Sequence, residues 1–215
     1  MRHGDEGLTD VRRRHGTAGH RRRQYGTVVA PTLGAVITIA DSKALARRHL
    51  AELPLRWRHV QGVGHCAERV AEALRFGGGA LIAAAWLHDI GYGRAVTDTG
   101  FHPLDGARYL RGIGAGDRVA RLVAHHSCAV YEARVRGLEQ ELLAEFEPEE
   151  SVIYDALVFC DMTTGPGGKP ISFEDRVQEV YERYGEGDIS RALRMAEPCL
   201  KAAVDRISQA MNASA

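Results

Sequence analysis

Long apolar runs are missing from this sequence: none approaches the ~18 residues that a membrane-spanning helix requires, so no membrane span is expected. Aromatic residues are scarce, at 7% within a 45% hydrophobic composition. A core must therefore be built from Ala, Leu and Val, which suits packed helices. Cysteine is limited to Cys66, Cys128, Cys160 and Cys199, without C-x-x-C spacing. That excludes a disulfide framework or zinc ribbon and fits reduced thiols in a cytoplasm. Excess charge is also lacking, because 28 Lys and Arg balance 28 Asp and Glu, so no overall field steers the chain toward nucleic acid or an anionic membrane. There is no period-two alternation and no internal repeat, which removes strands and solenoids from consideration.

What is present divides the chain in two. Residues 1–35 hold the clusters Arg12-Arg13-Arg14 and Arg21-Arg22-Arg23 without apolar periodicity, and read as a disordered basic tail. Arg22-Arg23-Gln24-Tyr25 is only a faint echo of a twin-arginine signal, with Pro31 and Gly34 interrupting the apolar part that follows. A weak nucleic-acid role for this tail is the one such role the sequence suggests. Residues 41–211 read as one all-α domain. Asp41 is the expected N-cap of a helix reaching about Leu53 and stopped by Pro54. A second helix, 56–76, puts Val63, Cys66, Ala67, Val70 and Leu74 on one stripe and ends at Gly77-Gly78-Gly79. Further helices are expected over 80–88, from Pro103, over 117–127, within 128–146, over 151–161, from Ser172 to Tyr184, and over 189–211 with Pro198 as a kink point. Thr163 to Pro170 is a loop.

The apolar run Ala80 to Leu87 ends in His88-Asp89. A carboxylate at the edge of such a core needs a strong partner, since an unpaired buried charge costs several kcal/mol or titrates to neutrality. A divalent cation is the obvious partner, and the other polar residues that interrupt apolar stripes are candidate co-ligands. His59 shares the buried face of its helix with Val63 and Cys66, whereas His65 falls on another face. Asp161 follows Tyr154, Leu157 and Val158 on a core-facing stripe; Asp155 points elsewhere. His102 precedes Pro103 at a helix start. At the end of helix 117–127 the wheel admits either His125 or His126 and slightly favours His126, three past Val123 and seven past Val119.

Five stretches together carry a family resemblance: Arg56-Trp57-Arg58-His59-Val60-Gln61-Gly62-Val63, Leu87-His88-Asp89-Ile90-Gly91, His102-Pro103-Leu104-Asp105-Gly106-Ala107, Leu122-Val123-Ala124-His125-His126 and Phe159-Cys160-Asp161. In this order the chain from about 41 to 195 resembles the HD-domain superfamily of metal-dependent phosphohydrolases, with the small single-domain members the nearest in plan. The resemblance implies a single helical bundle. It implies His59, His88, Asp89 and Asp161 as ligands of one metal, with His88 and Asp89 at the centre of catalysis. Where a second metal is present, Asp89 bridges and His102 joins His125 or His126; the family pattern puts His125 first, against the lean of the wheel. Two features depart from the family. Tyr92 stands where many relatives have Lys, with Arg94 as a substitute cation, and the Gly-Tyr-Pro signature of the cyclic dinucleotide branch is missing.

A donor set of imidazole and carboxylate suits one or two divalent ions among Mn, Fe, Mg, Co and Ni and leaves Zn open. No Ser-His-Asp or Cys-His elbow is present, which agrees with direct attack by water. The expected partner is a small phosphorylated, nucleotide-like substrate, with Arg94, Lys169, Thr163 and Thr164 as candidate substrate contacts. The same ligand count also permits an HD-type two-iron oxygenase, and a non-catalytic metal-binding sensor is the third class.

Overall fold

A computed structural model describes residues 37–214, and every structural statement below concerns these residues. The basic tail, 1–35, lies outside them. Ten α-helices follow one another: α1 (Ile39–Leu50), α2 (Pro54–Ala73), α3 (Gly79–Leu87), α4 (His102–Gly112), α5 (Asp117–His125), α6 (Val130–Arg136), α7 (Glu139–Glu145), α8 (Val152–Met162), α9 (Phe173–Tyr184) and α10 (Asp188–Ser214). No strand occurs among the described residues; an isolated bridge, Thr164 to Pro170, pins the loop after α8. The all-α expectation is met.

Helix α3 is the axis of the bundle. Every side chain from Leu81 to Leu87 is buried, and the helix packs against α1, α2, α5 and α8. A helix apolar on all sides has no solvent face to offer. Burial of Leu81, Ile82 and Leu87 stabilises the fold by about 1.5–3 kcal/mol each. The close approach of α2 depends on Gly64, where a Cβ would fall 2.4 Å from the Trp86 ring. A second apolar cluster, with Val158, Met162, Phe173, Val177, Leu200 and Val204, joins α8 to α9 and α10. The pairs α4 with α5 and α6 with α10 complete the packing.

Two helix starts differ from expectation. Thr38, not Asp41, is the N-cap of α1: its Oγ1 accepts from Asp41 N at 3.1 Å, and Asp41 occupies the third helical position. Thr38 Oγ1 in turn donates to Asp41 Oδ2 at 2.6 Å, and the carboxylate sits in the first turn where it also meets the helix dipole. Pro54 opens α2 instead of merely stopping α1, because the first helical turn needs no amide hydrogen and favours the φ that proline fixes. Pro198 lies inside α10 without ending it.

Candidate metal centre

Because α3 is buried along its length, the chain leaves it in the middle of the bundle. His88 and Asp89, the next two residues, are 1% and 2% exposed. The turn Ile90–Tyr92 then brings the backbone against α4. Gly91 permits this, since a Cβ there would lie 2.0 Å from the His102 carbonyl oxygen. The loop before α4 is tied down by buried Asp105, whose carboxylate accepts from the amides of Asp98, Thr99 and Gly100 at 2.9–3.1 Å. His102 is thereby delivered beside Asp89, at 3.4 Å from Oδ1.

Three imidazoles of the cluster face backbone carbonyls through Nδ1: His88 to Ala85 at 2.8 Å, His126 to Val123 at 2.7 Å and His59 to Gly165 at 3.2 Å. A carbonyl only accepts, so each Nδ1 carries a proton, and it is Nε2 that turns inward, with a lone pair for a cation once the ring is neutral. Each Nε2 faces another acceptor atom. His59 Nε2 lies 2.9 Å from Asp161 Oδ1. His88 Nε2 lies 3.3 Å from Asp89 Oδ2 yet has no aligned hydrogen-bond partner. His126 Nε2 faces His102 Nε2 at 3.2 Å. Lone pairs opposed in a dry site repel unless a proton or a cation stands between them.

Two groups of donor atoms, each within 4.8 Å of one another, have the makings of a cation site: His59, His88 and Asp89, and Asp89, His102 and His126. Asp89 belongs to both. Asp161 stands against His59 and 3.9 Å from His88. The donors are nitrogen and oxygen without thiolate and converge from the core ends of several helices, so the residues fit one or more divalent ions. Burial pushes the Asp89 carboxyl up, but Arg56 and His88 outweigh it and hold it well below the usual carboxylate range. At Asp161 the same contest is won by His59, His88 and Arg176. Burial pulls His88 down, yet the two carboxylates raise it to about 9. His102 and His126 are held low, chiefly by burial.

The structure brings together His59, His88, Asp89, His102, His126 and Asp161. It does not bring in His125, which corrects the choice taken from the family pattern. Nε2 of His125 faces the Phe146 carbonyl at 2.7 Å, at the end of α7. The reason is local. Helix α5 ends at His125, and His126 (φ −53, ψ 147) followed by Ser127 and Cys128 at positive φ swings the chain so that His126 turns inward. Of the expected substrate contacts, Arg94 and Lys169 are exposed and line neither cavity at the cluster. Thr163 and Thr164 donate back to the Phe159 and Cys160 carbonyls at 2.6 and 2.7 Å. They line a cavity on the far side of α2, with His65 and Arg69. Asp155 pairs with Arg206 on α10, away from the cluster.

Three residues at the site went unassigned in the sequence reading. Arg56 donates to Asp89 Oδ2 at 2.8 Å and lies 4.0 Å over the Tyr92 ring, whose other face stacks on His102 at 4.1 Å. This sandwich is what Tyr92 does in place of a lysine. Ser127, in the left-handed region at φ 51, donates its hydroxyl hydrogen to Asp161 Oδ2. Arg176, buried on α9, has Nη2 3.9 Å from Asp161 Oδ1. Spacing gave a signal only for Arg56, one helical turn before His59.

Residues 56–159 match the model of a family described as HD domain. Searches of curated proteins and of solved structures returned no significant match.

Proposed function

The chain carries an HD domain over residues 56–159, and from that premise we propose that it is a metal-dependent phosphohydrolase acting on small, nucleotide-like phosphate esters or anhydrides. The observation that carries this reading is Asp89, one carboxylate shared by two groups of donor atoms whose imidazole nitrogens lie around it. Such a set would hold one or two divalent ions, the first by His59, His88, Asp89 and Asp161 and a second by Asp89, His102 and His126. Ions held there would acidify a water nucleophile and neutralise charge developing on the phosphoryl oxygens.

The protein's own groups supply the rest. The Nδ1 hydrogen bonds to backbone carbonyls set the tautomers of His59, His88 and His126 and hold each Nε2 on the centre. Arg56 and Ser127 orient the carboxylates of Asp89 and Asp161 from outside. Buried cations beside the cluster favour an anionic substrate, which distinguishes this reading from a two-iron oxygenase using the same four imidazoles and two carboxylates.

The test is turnover under argon. Protein loaded anaerobically with Mn or Fe should release phosphate from a panel of phosphate esters without dioxygen, and the His88→Ala variant should not. Oxygen consumption coupled to substrate, with no phosphate released, would replace the hydrolase by the oxygenase. The absence of any turnover would leave a metal-binding sensor.

A further inference from the structure

Two cavities meet at one wall of side chains. The inner cavity contains Asp89, His102, His126, Ser127 and Asp161 in its lining and has a volume of about 120 Å³. The outer one, about 580 Å³, is lined by Leu53, Pro54, Leu55 and Pro166 and reaches His59 of the cluster. Arg56, Tyr92, Arg176, Arg183 and Tyr184 line both. The inner volume lies well below the ~300–1,000 Å³ that encloses a whole drug-sized ligand, so it suits a small group such as phosphate. Val180, Leu193 and Leu200, from α9 and α10, form part of the inner lining.

Arg176 is the unusual member of the shared wall. It is only 7% exposed. Its Nη1 donates to Glu179, which also pairs with Arg183, and Nη2 stops 3.9 Å short of Asp161. Its Nε has no hydrogen-bond partner. A buried donor left unpaired is costly, and a guanidinium edge offers a geometry that phosphate oxygens match. Helix α9 lies outside residues 56–159, so this cation belongs to the chain beyond its HD segment.

Resting on the phosphohydrolase reading, we propose that the substrates are phosphate monoesters with a planar or apolar leaving group. The phosphoryl group alone enters the inner cavity, where Arg176 donates to its oxygens. The leaving group occupies the outer cavity against Leu55, Tyr92 and Tyr184. A bond forms from water oxygen to phosphorus as the ester oxygen–phosphorus bond breaks. One water proton ends on the departing alcohol, so the products are the alcohol and orthophosphate. A diester would bring a second organic group to the mouth of the inner cavity, so monoesters are the preferred substrates.

The metal-loaded protein should hydrolyse p-nitrophenyl phosphate with kcat/KM about 100-fold above that for bis(p-nitrophenyl) phosphate. In Arg176→Gln, calorimetry should show binding of inorganic phosphate weakened about tenfold, with metal content unchanged. Leu55 is 59% exposed, so Leu55→Asp should fold normally and raise KM for p-nitrophenyl phosphate about fivefold. Diester hydrolysis equal to or faster than monoester hydrolysis overturns the proposal while leaving a phosphohydrolase in place, as does unaltered KM in Leu55→Asp or unaltered phosphate binding in Arg176→Gln. Hydrolysis of neither ester overturns the proposal together with the reading beneath it.

Discussion

His125 and His126 are adjacent, both buried, and chemically alike until their ring nitrogens are traced. The Nε2 of His126 faces the cluster, whereas that of His125 is spent on the Phe146 carbonyl. Replacement by alanine should therefore separate them. His126→Ala should lower metal content and abolish turnover, at a cost of about 1–3 kcal/mol because the buried Val123 carbonyl loses its partner. His125→Ala should keep its metal, measured by elemental analysis, and lose about 1–3 kcal/mol of stability in denaturant because a buried carbonyl is left unpaired. A second residue-scale consequence comes from His88. With its pKa raised to about 9 by the two carboxylates, His88 is protonated at neutral pH in metal-free protein. Coordination requires the neutral ring, so binding must expel that proton. Calorimetry in buffers of different ionisation enthalpy should detect about one proton released per molecule at pH 7, falling toward none above pH 9 as apparent affinity rises. The linkage has the opposite sign for folding: the stability that protonated His88 contributes is complete below ~6.5, the unfolded value, and is lost as pH rises through about 9.

Among the elements, the turn after α5 concentrates the strain. Ser127 and Cys128 both hold positive φ without being glycine, a conformation that costs about 1–2 kcal/mol per residue. The same turn aims His126 inward and places the Ser127 hydroxyl on Asp161. Ser127→Gly should then stabilise the fold by up to about 1 kcal/mol in chemical denaturation while weakening metal affinity about 10–100-fold, the usual loss when a ligand's supporting hydrogen bond is removed. Stability and affinity moving together would contradict this division of labour. The turn also marks where sequence stops being informative. The length and end of α3 were legible because an uninterrupted apolar run permits no surface face, and His59 and Asp161 were legible because each sits on an apolar stripe. The wheel even leaned toward His126, since α5 is regular up to its last turn; the family pattern pulled the choice to His125. Two left-handed residues of ordinary type carry no signature in composition, so Ser127 escaped notice. Arg176 escaped for another reason. Periodicity shows which face of α9 is buried but not against what, and only tertiary packing brings that face to Asp161.

For the molecule as a whole, the cluster ties together segments far apart in sequence: His59 and Asp161 meet across 102 positions, and the other members come from the end of α3, the start of α4 and the end of α5. An ion that binds all of them binds only the native state, because the unfolded chain does not preassemble the set. Mass action then makes metal a stabiliser, by about 2.7 kcal/mol when its free concentration is 100 times Kd. For a domain of this size that corresponds to roughly 5–10 °C in Tm. Chelator should lower the melting temperature by that amount in scanning calorimetry, and divalent ion added back should restore it. Buried Asp89 and Asp161 stay charged without the ion because Arg56, His88 and Arg176 compensate them, so metal-free protein should still melt cooperatively, at the lower temperature, instead of losing its fold. His59→Ala, which removes a donor from one group, should shrink the chelator shift without eliminating it, since Asp89, His102 and His126 persist. A chelator shift undiminished in that variant would mean that the stabilising ion sits elsewhere, and an absent shift in the native protein would separate the fold's stability from the cluster altogether.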